Sequence, residues 1–206
     1  MFDARLQPWL RRVFDPLAAR LAARGASADA VTFAGFGFGV GASLAFGAGA
    51  FRLGRGLLIV NRLADGLDGA LARRLGPTRR GAFLDIALDF AVYALVPLGF
   101  AVADPARNAL AAAFLLAAFI GTGSSFLAFA AVAGGQKAPA FPAKGLYYLG
   151  GLTEGGETIA FFAAFALWPA AFPALASIFA ALCLITTLTR WRWGWLAFAP
   201  SNGGNA

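Results

Sequence analysis

No histidine occurs among the 206 residues of this chain. The commonest metal ligand and the commonest general base near neutral pH are therefore missing. A single cysteine, Cys183, stands in an apolar run, so one chain can form neither a disulfide nor a cysteine-based zinc site. Charge is scarce too. Asp, Glu, Lys and Arg make up 13% of the chain, about half the share of an ordinary soluble domain. Any chemistry must rest on carboxylates, Arg, Lys and hydroxyls.

What fills the chain is apolar. Sixty per cent of residues are hydrophobic, more than a soluble protein of this size could hide, so the expected class is an all-α integral membrane protein. Six apolar segments, near 29–50, 55–75, 82–103, 108–133, 147–168 and 172–190, approach the roughly 20 residues a helix needs to cross the hydrocarbon. Pro105, Pro139, Pro142, Pro169 and Pro173 punctuate the connections. Ahead of the spans, Phe2, Leu6, Leu10, Val13, Phe14, Leu17 and Leu21 recur at helical spacing with Arg5, Arg12 and Arg20 between them. That pattern predicts an amphipathic helix in the membrane interface, bent or broken at Pro8 or Pro16. Arg5, Arg11 and Arg12 interrupt any signal-peptide core. The expected organisation is an interfacial helix over 1–26, a six-helix membrane domain over 27–196 and a polar tail over 197–206.

The net charge of +7 fits cytoplasmic loops facing anionic lipid, and no nucleic-acid partner is expected. With the N-terminus inside, six spans put 13 of the 17 Lys and Arg in cytoplasmic segments and three outside, with Arg62 inside the second span. This bias predicts both termini in the cytoplasm. Gly35, Gly37, Gly39 and Gly41 mark the first span as a helix-packing surface.

Against this background the acids stand out. Asp65, Asp68, Asp85, Asp89, Glu154 and Glu157 lie in or at the ends of apolar segments. A charge at mid-span costs about 2.5–3.5 kcal/mol on insertion scales, so these groups should face one another, a cation or water. Asp65 and Asp68 fall within about 60° on one helix, with Gly69 and Ala72 on the same face. Gly81, Asp85 and Asp89 follow at four-residue steps on the next. A short loop joins the two spans, which predicts antiparallel neighbours with facing Asp pairs and a site open to the cytoplasm. Clustered carboxylates repel, and divalent cations between them remove the repulsion. All-oxygen ligands select hard ions, Mg²⁺ or Mn²⁺, and four Asp have room for two. The structural alternative is a set of buried ion pairs with Arg62, Arg73 or Arg74.

The stretch Asp65-x2-Asp68-Gly69-x2-Ala72-Arg73-x7-Gly81-x3-Asp85-x3-Asp89 resembles the signature of the CDP-alcohol phosphotransferases, also called CDP-alcohol phosphatidyltransferases. The usual pattern has one more residue between the Arg and the second Gly, a loop difference that leaves the roles of Arg79 and Arg80 open. The chain looks like a small bacterial inner-membrane branch of that family. The resemblance implies a homodimeric six-helix membrane enzyme of phospholipid synthesis with a dinuclear metal site. The implied reaction transfers a substituted phosphate from a CDP-linked alcohol, such as CDP-diacylglycerol, to an acceptor hydroxyl, releasing CMP. Carried over residue by residue, Asp65, Asp68, Asp85 and Asp89 bind metal, and Asp89 is also the general base. Asp65, Gly69, Ala72, Arg73 and Gly81 belong to the nucleotide pocket. Arg62, Lys144, Glu154 and Glu157 are candidates for the acceptor site. Two other classes compete: a cation or proton transporter built on membrane carboxylates, and a non-catalytic member of the same family.

Overall fold

The computed structural model describes residues 2–133, 152–153 and 155–199, with side chains from residue 12 onward. Seven α-helices follow in order: α1 (Phe2–Ala23), α2 (Ala28–Gly47), α3 (Phe51–Leu75), α4 (Arg79–Ala103), α5 (Pro105–Ala133), α6 (Gly155–Leu167) and α7 (Phe172–Ala197). A 3-10 turn, Pro169–Ala171, precedes α7. Among the described residues there is no strand.

The helix ends near the acidic stretch are locally encoded. Ser27 caps α2 by accepting from the Ala30 N–H at 3.2 Å, and Thr78 caps α4 by accepting from the Gly81 N–H at 2.9 Å. Gly76 ends α3 with φ of 99°, a left-handed value that favours glycine. The helix expected to bend or break at Pro8 or Pro16 instead runs uninterrupted from Phe2 to Ala23. Its docking on α3 explains the tolerance: Phe14 and Ala18 pack with Ala70 and Leu71, and that contact offsets the backbone bond a proline removes.

Four helical segments are long and apolar enough to cross a membrane: α2, α4, α5 and residues 169–197, the turn with α7. α3 has the length, 25 residues, but carries Arg52, Arg55, Arg62, Asp65, Asp68, Arg73 and Arg74. α6 is shorter, with 13 residues.

One end of the bundle is closed by aromatic packing. Phe100 of α4 stacks on Phe172 of α7 at 4.6 Å, with Phe46 and Phe165 around them, all fully buried. Offset and edge-to-face rings of this kind hold helices firmly. Asp85 lies 15 residues before Phe100 on α4, roughly 22 Å along the axis. The acidic stretch is therefore at the opposite end.

The packing of α2 shapes that end. α2 lies against both α3 and α4, whereas α3 and α4 make few close approaches to each other. The expected antiparallel neighbours thus face each other across a gap, with α2 behind. Its glycines do not act alike. Gly35 and Gly39 are buried, and an added Cβ would meet Ala64 Cβ at 2.9 Å and Val92 Cγ2 at 2.6 Å, respectively. Gly37 has nothing within 4 Å, and Gly41 is in ordinary contact with Leu57. Residues two apart point in nearly opposite directions on a helix, so only the pair four apart forms the seam.

Candidate metal centre

The gap between α3 and α4 is an open cleft, about 260 Å³ with the open space at its mouth included. Thr32, Gly35 and Phe36 of α2 line it, with Asn61, Arg62, Asp65 and Asp68 of α3 and Asp85, Leu88, Asp89 and Val92 of α4. The four aspartates of the signature thus converge on one space.

They do not converge equally. Asp65, Asp68 and Asp85 each offer a carboxylate oxygen within 4.8 Å of the other two. Asp68 is buried, Asp65 half-buried and Asp85 exposed, so the group runs from the helix seam out to the mouth. Hard oxygen donors with no nitrogen or sulfur among them match Mg²⁺ or Mn²⁺.

Asp89 is engaged differently. Its Oδ1 accepts a hydrogen bond from Arg62 Nη2 at 3.1 Å. Arg62 Nη1 lies 3.9 Å from Asp65 Oδ2, one turn along α3. The guanidinium is held on other sides as well. Its Nε donates to Asn61 Oδ1 at 2.7 Å, and its carbon lies 5.7 Å from the centre of the Tyr93 ring. Asn61, 3% exposed, in turn donates through Nδ2 to the Gly35 carbonyl at 2.8 Å. A chain of contacts therefore runs from the α2 backbone through Asn61 and Arg62 to Asp89. The ion pairing considered from sequence forms, half-buried, for Asp89 and Asp65 with Arg62.

The other candidates take varied positions. Gly69 is half-buried, and a Cβ there would meet only Arg73 Nη1, at an ordinary 3.5 Å. Ala72 is half-buried one turn from Asp68. Arg73 is exposed, lies 3.7 Å from Asp15 of α1 and is not among the residues that line the cleft. Gly81 sits in the first turn of α4, close to Thr78 and Asp29, and Asp29 is bound by Arg80 at 2.6 Å. Glu157 is half-buried in the first turn of α6. Lys144 and Glu154 lie outside the described residues.

Asn61, Tyr93 and Thr32 were not singled out from the sequence. Asn61 had a readable signal: it stands four residues before Asp65 and seven before Asp68, on the same helical stripe. Tyr93 lies four residues after Asp89 and carries the same signal on α4. Thr32 gave none, because α2 reaches the site only through tertiary packing.

The comparisons with known proteins bear on this geometry. The family model for CDP-alcohol phosphatidyltransferase matches residues 26–198. The inner membrane protein YnjF of Escherichia coli (strain K12) is 49% identical over 198 residues, covering 95% of this chain and 96% of its own. A crystal structure of the phosphatidylinositol phosphate synthase PgsA1 of Mycobacterium tuberculosis with CDP-DAG bound superposes with a TM-score of 0.74 at 26% identity. The match covers 89% of this chain and 94% of that one. The same enzyme in complex with manganese and citrate gives a TM-score of 0.68 at 26% identity, covering 88% of each chain.

Proposed function

The chain belongs to the CDP-alcohol phosphatidyltransferase family, and from that premise we propose that it is a divalent-metal-dependent enzyme of phospholipid synthesis. It takes CDP-diacylglycerol as donor, transfers the phosphatidyl group to an acceptor hydroxyl and releases CMP. The observation that carries the reading is the convergence of Asp65, Asp68 and Asp85, from two helices, on one cleft.

The donor set fits Mg²⁺ or Mn²⁺: three carboxylates, with the outermost at an open mouth where phosphate oxygens can complete the shell. When bound, the metal supplies positive charge that neutralises the pyrophosphate and stabilises the CMP leaving group. The remaining roles fall to the chain itself. Asp89 accepts the proton of the attacking hydroxyl. Its Oδ1 is tied to Arg62, and a carboxylate has a second oxygen for that task. Gly69 is small for no packing reason of its own, and the space beside it suits a nucleotide approaching the helix backbone. Ala72, Arg73 and Gly81, toward the α3–α4 turn and outside the lining of the cleft, complete the nucleotide site in this reading.

We assign acceptor recognition to Lys144, Glu154 and Glu157, of which Glu157 stands in the first turn of α6. An acceptor carrying phosphate would favour a basic partner such as Lys144. Arg62, the fourth acceptor candidate, pairs with Asp65 and Asp89 in this structure. We further propose that α2 to α7 form six spans in a bacterial inner membrane. The cleft and both termini then face the cytoplasm, α1 lies in the interface, and the active form is a homodimer. Leu44, Leu110 and Ile120, each at least 70% exposed, then point into lipid rather than water.

The test is CMP release from CDP-diacylglycerol by purified protein, across a panel of acceptors including glycerol 3-phosphate and inositol phosphate. Release that needs an acceptor and Mg²⁺ or Mn²⁺ supports the reading. No CMP from any acceptor at saturating metal counts against it.

A further inference from the structure

The helix ahead of the spans keeps an apolar flank that the bundle does not cover. α1 docks on α3 through Phe14 and Ala18, which pack with Ala70 and Leu71. Val13 and Leu17, beside those docked residues, are exposed, and so are Arg20 and Arg24. Val13, Leu17 and Arg20 fall within about 60° of one another on the helix, and Arg24 follows in the turn that ends it. Asp15, the one acid among the described side chains of α1, lies about 160° round from Val13 and pairs with Arg73. The flank therefore joins two branched apolar side chains to two arginines and carries no acid.

That combination fits a shallow anionic lipid surface better than water. Val13 and Leu17 can reach the acyl boundary while the long arginine stems keep their charge among the headgroup phosphates. The flank also stands in the right place. α1 packs on the half of α3 that carries Asp65 and Asp68, at the end read as cytoplasmic, where anionic headgroups concentrate. One close approach joins the strap to the site. Phe14, 8% exposed, lies over Gly66, where an added Cβ would meet its ring at 2.6 Å, and Gly66 adjoins Asp65. Asp65 and Asp68 face the cleft from the other side of the same turns.

We propose that the flank of α1 formed by Val13, Leu17, Arg20 and Arg24 is a docking surface for anionic phospholipid headgroups. Through Phe14 and Gly66 that contact steadies the half of α3 that carries Asp65 and Asp68. α1 is then a strap between the bilayer surface and the cleft; this rests on the membrane placement proposed above and not on the reaction.

Hydrogen–deuterium exchange tests this without reference to turnover. Full-length protein is placed in nanodiscs of phosphatidylcholine alone or of an equal mixture with phosphatidylglycerol. Each arginine at an anionic surface adds roughly fivefold in binding, so the pair supplies about 25-fold. Exchange over residues 12–24 should slow on the order of 10-fold in the anionic discs, and residues 62–75 should slow with it. In the double variant Arg20→Gln, Arg24→Gln both segments should exchange alike in the two lipids. Salt at about 1 M, which shortens the Debye length to about 3 Å, should remove most of the wild-type difference. Inorganic phosphate added to the phosphatidylcholine discs should not produce it. Equal exchange of residues 12–24 in the two lipids overturns the docking surface, as does protection unmoved by salt, reproduced by free phosphate or kept by the folded double variant. Protection confined to residues 12–24 overturns the coupling to α3. Should the double variant not fold, the lipid and salt comparisons on the wild type still decide. A chain that stays in solution without nanodiscs or detergent would remove the membrane placement itself and this inference with it.

Discussion

Replacing Gly39 by alanine adds one methyl group at the seam where α2 meets both helices of the cleft. The new Cβ would lie 2.6 Å from Val92 Cγ2 and 3.2 Å from Asn61 Nδ2. Ordinary carbon contacts begin near 3.4 Å, so α2 and α4 must part by roughly 0.8 Å or more. Val92 cannot turn aside, because it is 1% exposed and β-branched in a helix. Overpacking of this kind costs about 1–3 kcal/mol, and alanine's better helix propensity offsets about 1 kcal/mol. The net loss should be roughly 0–2 kcal/mol. The geometric effect should exceed the loss of stability. Displacing Asn61 moves Arg62, and misplacement of about 1 Å in a catalytic array costs on the order of 100-fold in rate. Gly37→Ala is the internal control, since no atom lies within 4 Å of its added Cβ. It should match or slightly exceed the wild type in stability. Thermal unfolding in detergent, with Mn²⁺ affinity and CMP release on the same preparations, separates the two variants. Equal behaviour of Gly39→Ala and Gly37→Ala would refute the claim that the Gly35–Gly39 seam sets the site.

Asp89→Asn keeps the shape of the side chain and removes its basicity, so CMP release should fall by about 10²–10⁴-fold, while calorimetry should still register CDP and Mn²⁺ binding at the other three aspartates. Gly66→Ala would put a Cβ 2.6 Å from the Phe14 ring, so α1 should loosen from α3 and trypsin should cleave faster after Arg24; Gly56→Ala, with nothing within 4 Å, should digest at the wild-type rate. Asp15→Ala removes a partner of Arg73 in an exposed pair, 50% and 57% accessible; stability should change by no more than about 1 kcal/mol, as measured by thermal unfolding.

The acidic site was legible in the sequence because helical geometry is local. Asp65 and Asp68, and Asp85 and Asp89, share faces at three- and four-residue spacing, and the short turn at Gly76 and Pro77 had to bring those faces together. Apolar run lengths likewise gave helix positions: α2, α3, α4, α5 and α7 fall close to segments read from hydropathy, while of the segment 147–168 the described helix is Gly155–Leu167. What local spacing could not give was the third helix. Nothing in the run around Thr32, Gly35 and Gly39 says that α2 would back the cleft and hold α3 and α4 apart. The expectation that four neighbouring glycines form one surface ignored that Gly37 points away from Gly35 and Gly39. Arg62 reads from sequence as an acceptor ligand or an ion-pair partner, and its pairs with Asp65 and Asp89 appear only in the tertiary packing. Its commitment depends on the Asn61 anchor, which depends in turn on a carbonyl 26 residues earlier in the chain.

The account stands on metal held between α3 and α4 gripping the diphosphate of the donor. Calorimetric titration of CDP into the purified protein tests this most directly, with saturating Mn²⁺, with EDTA, and with Mn²⁺ on the Asp68→Asn variant. The account predicts heat of binding only in the first case. Equal CDP affinity in EDTA, or in a folded Asp68→Asn protein, would contradict it.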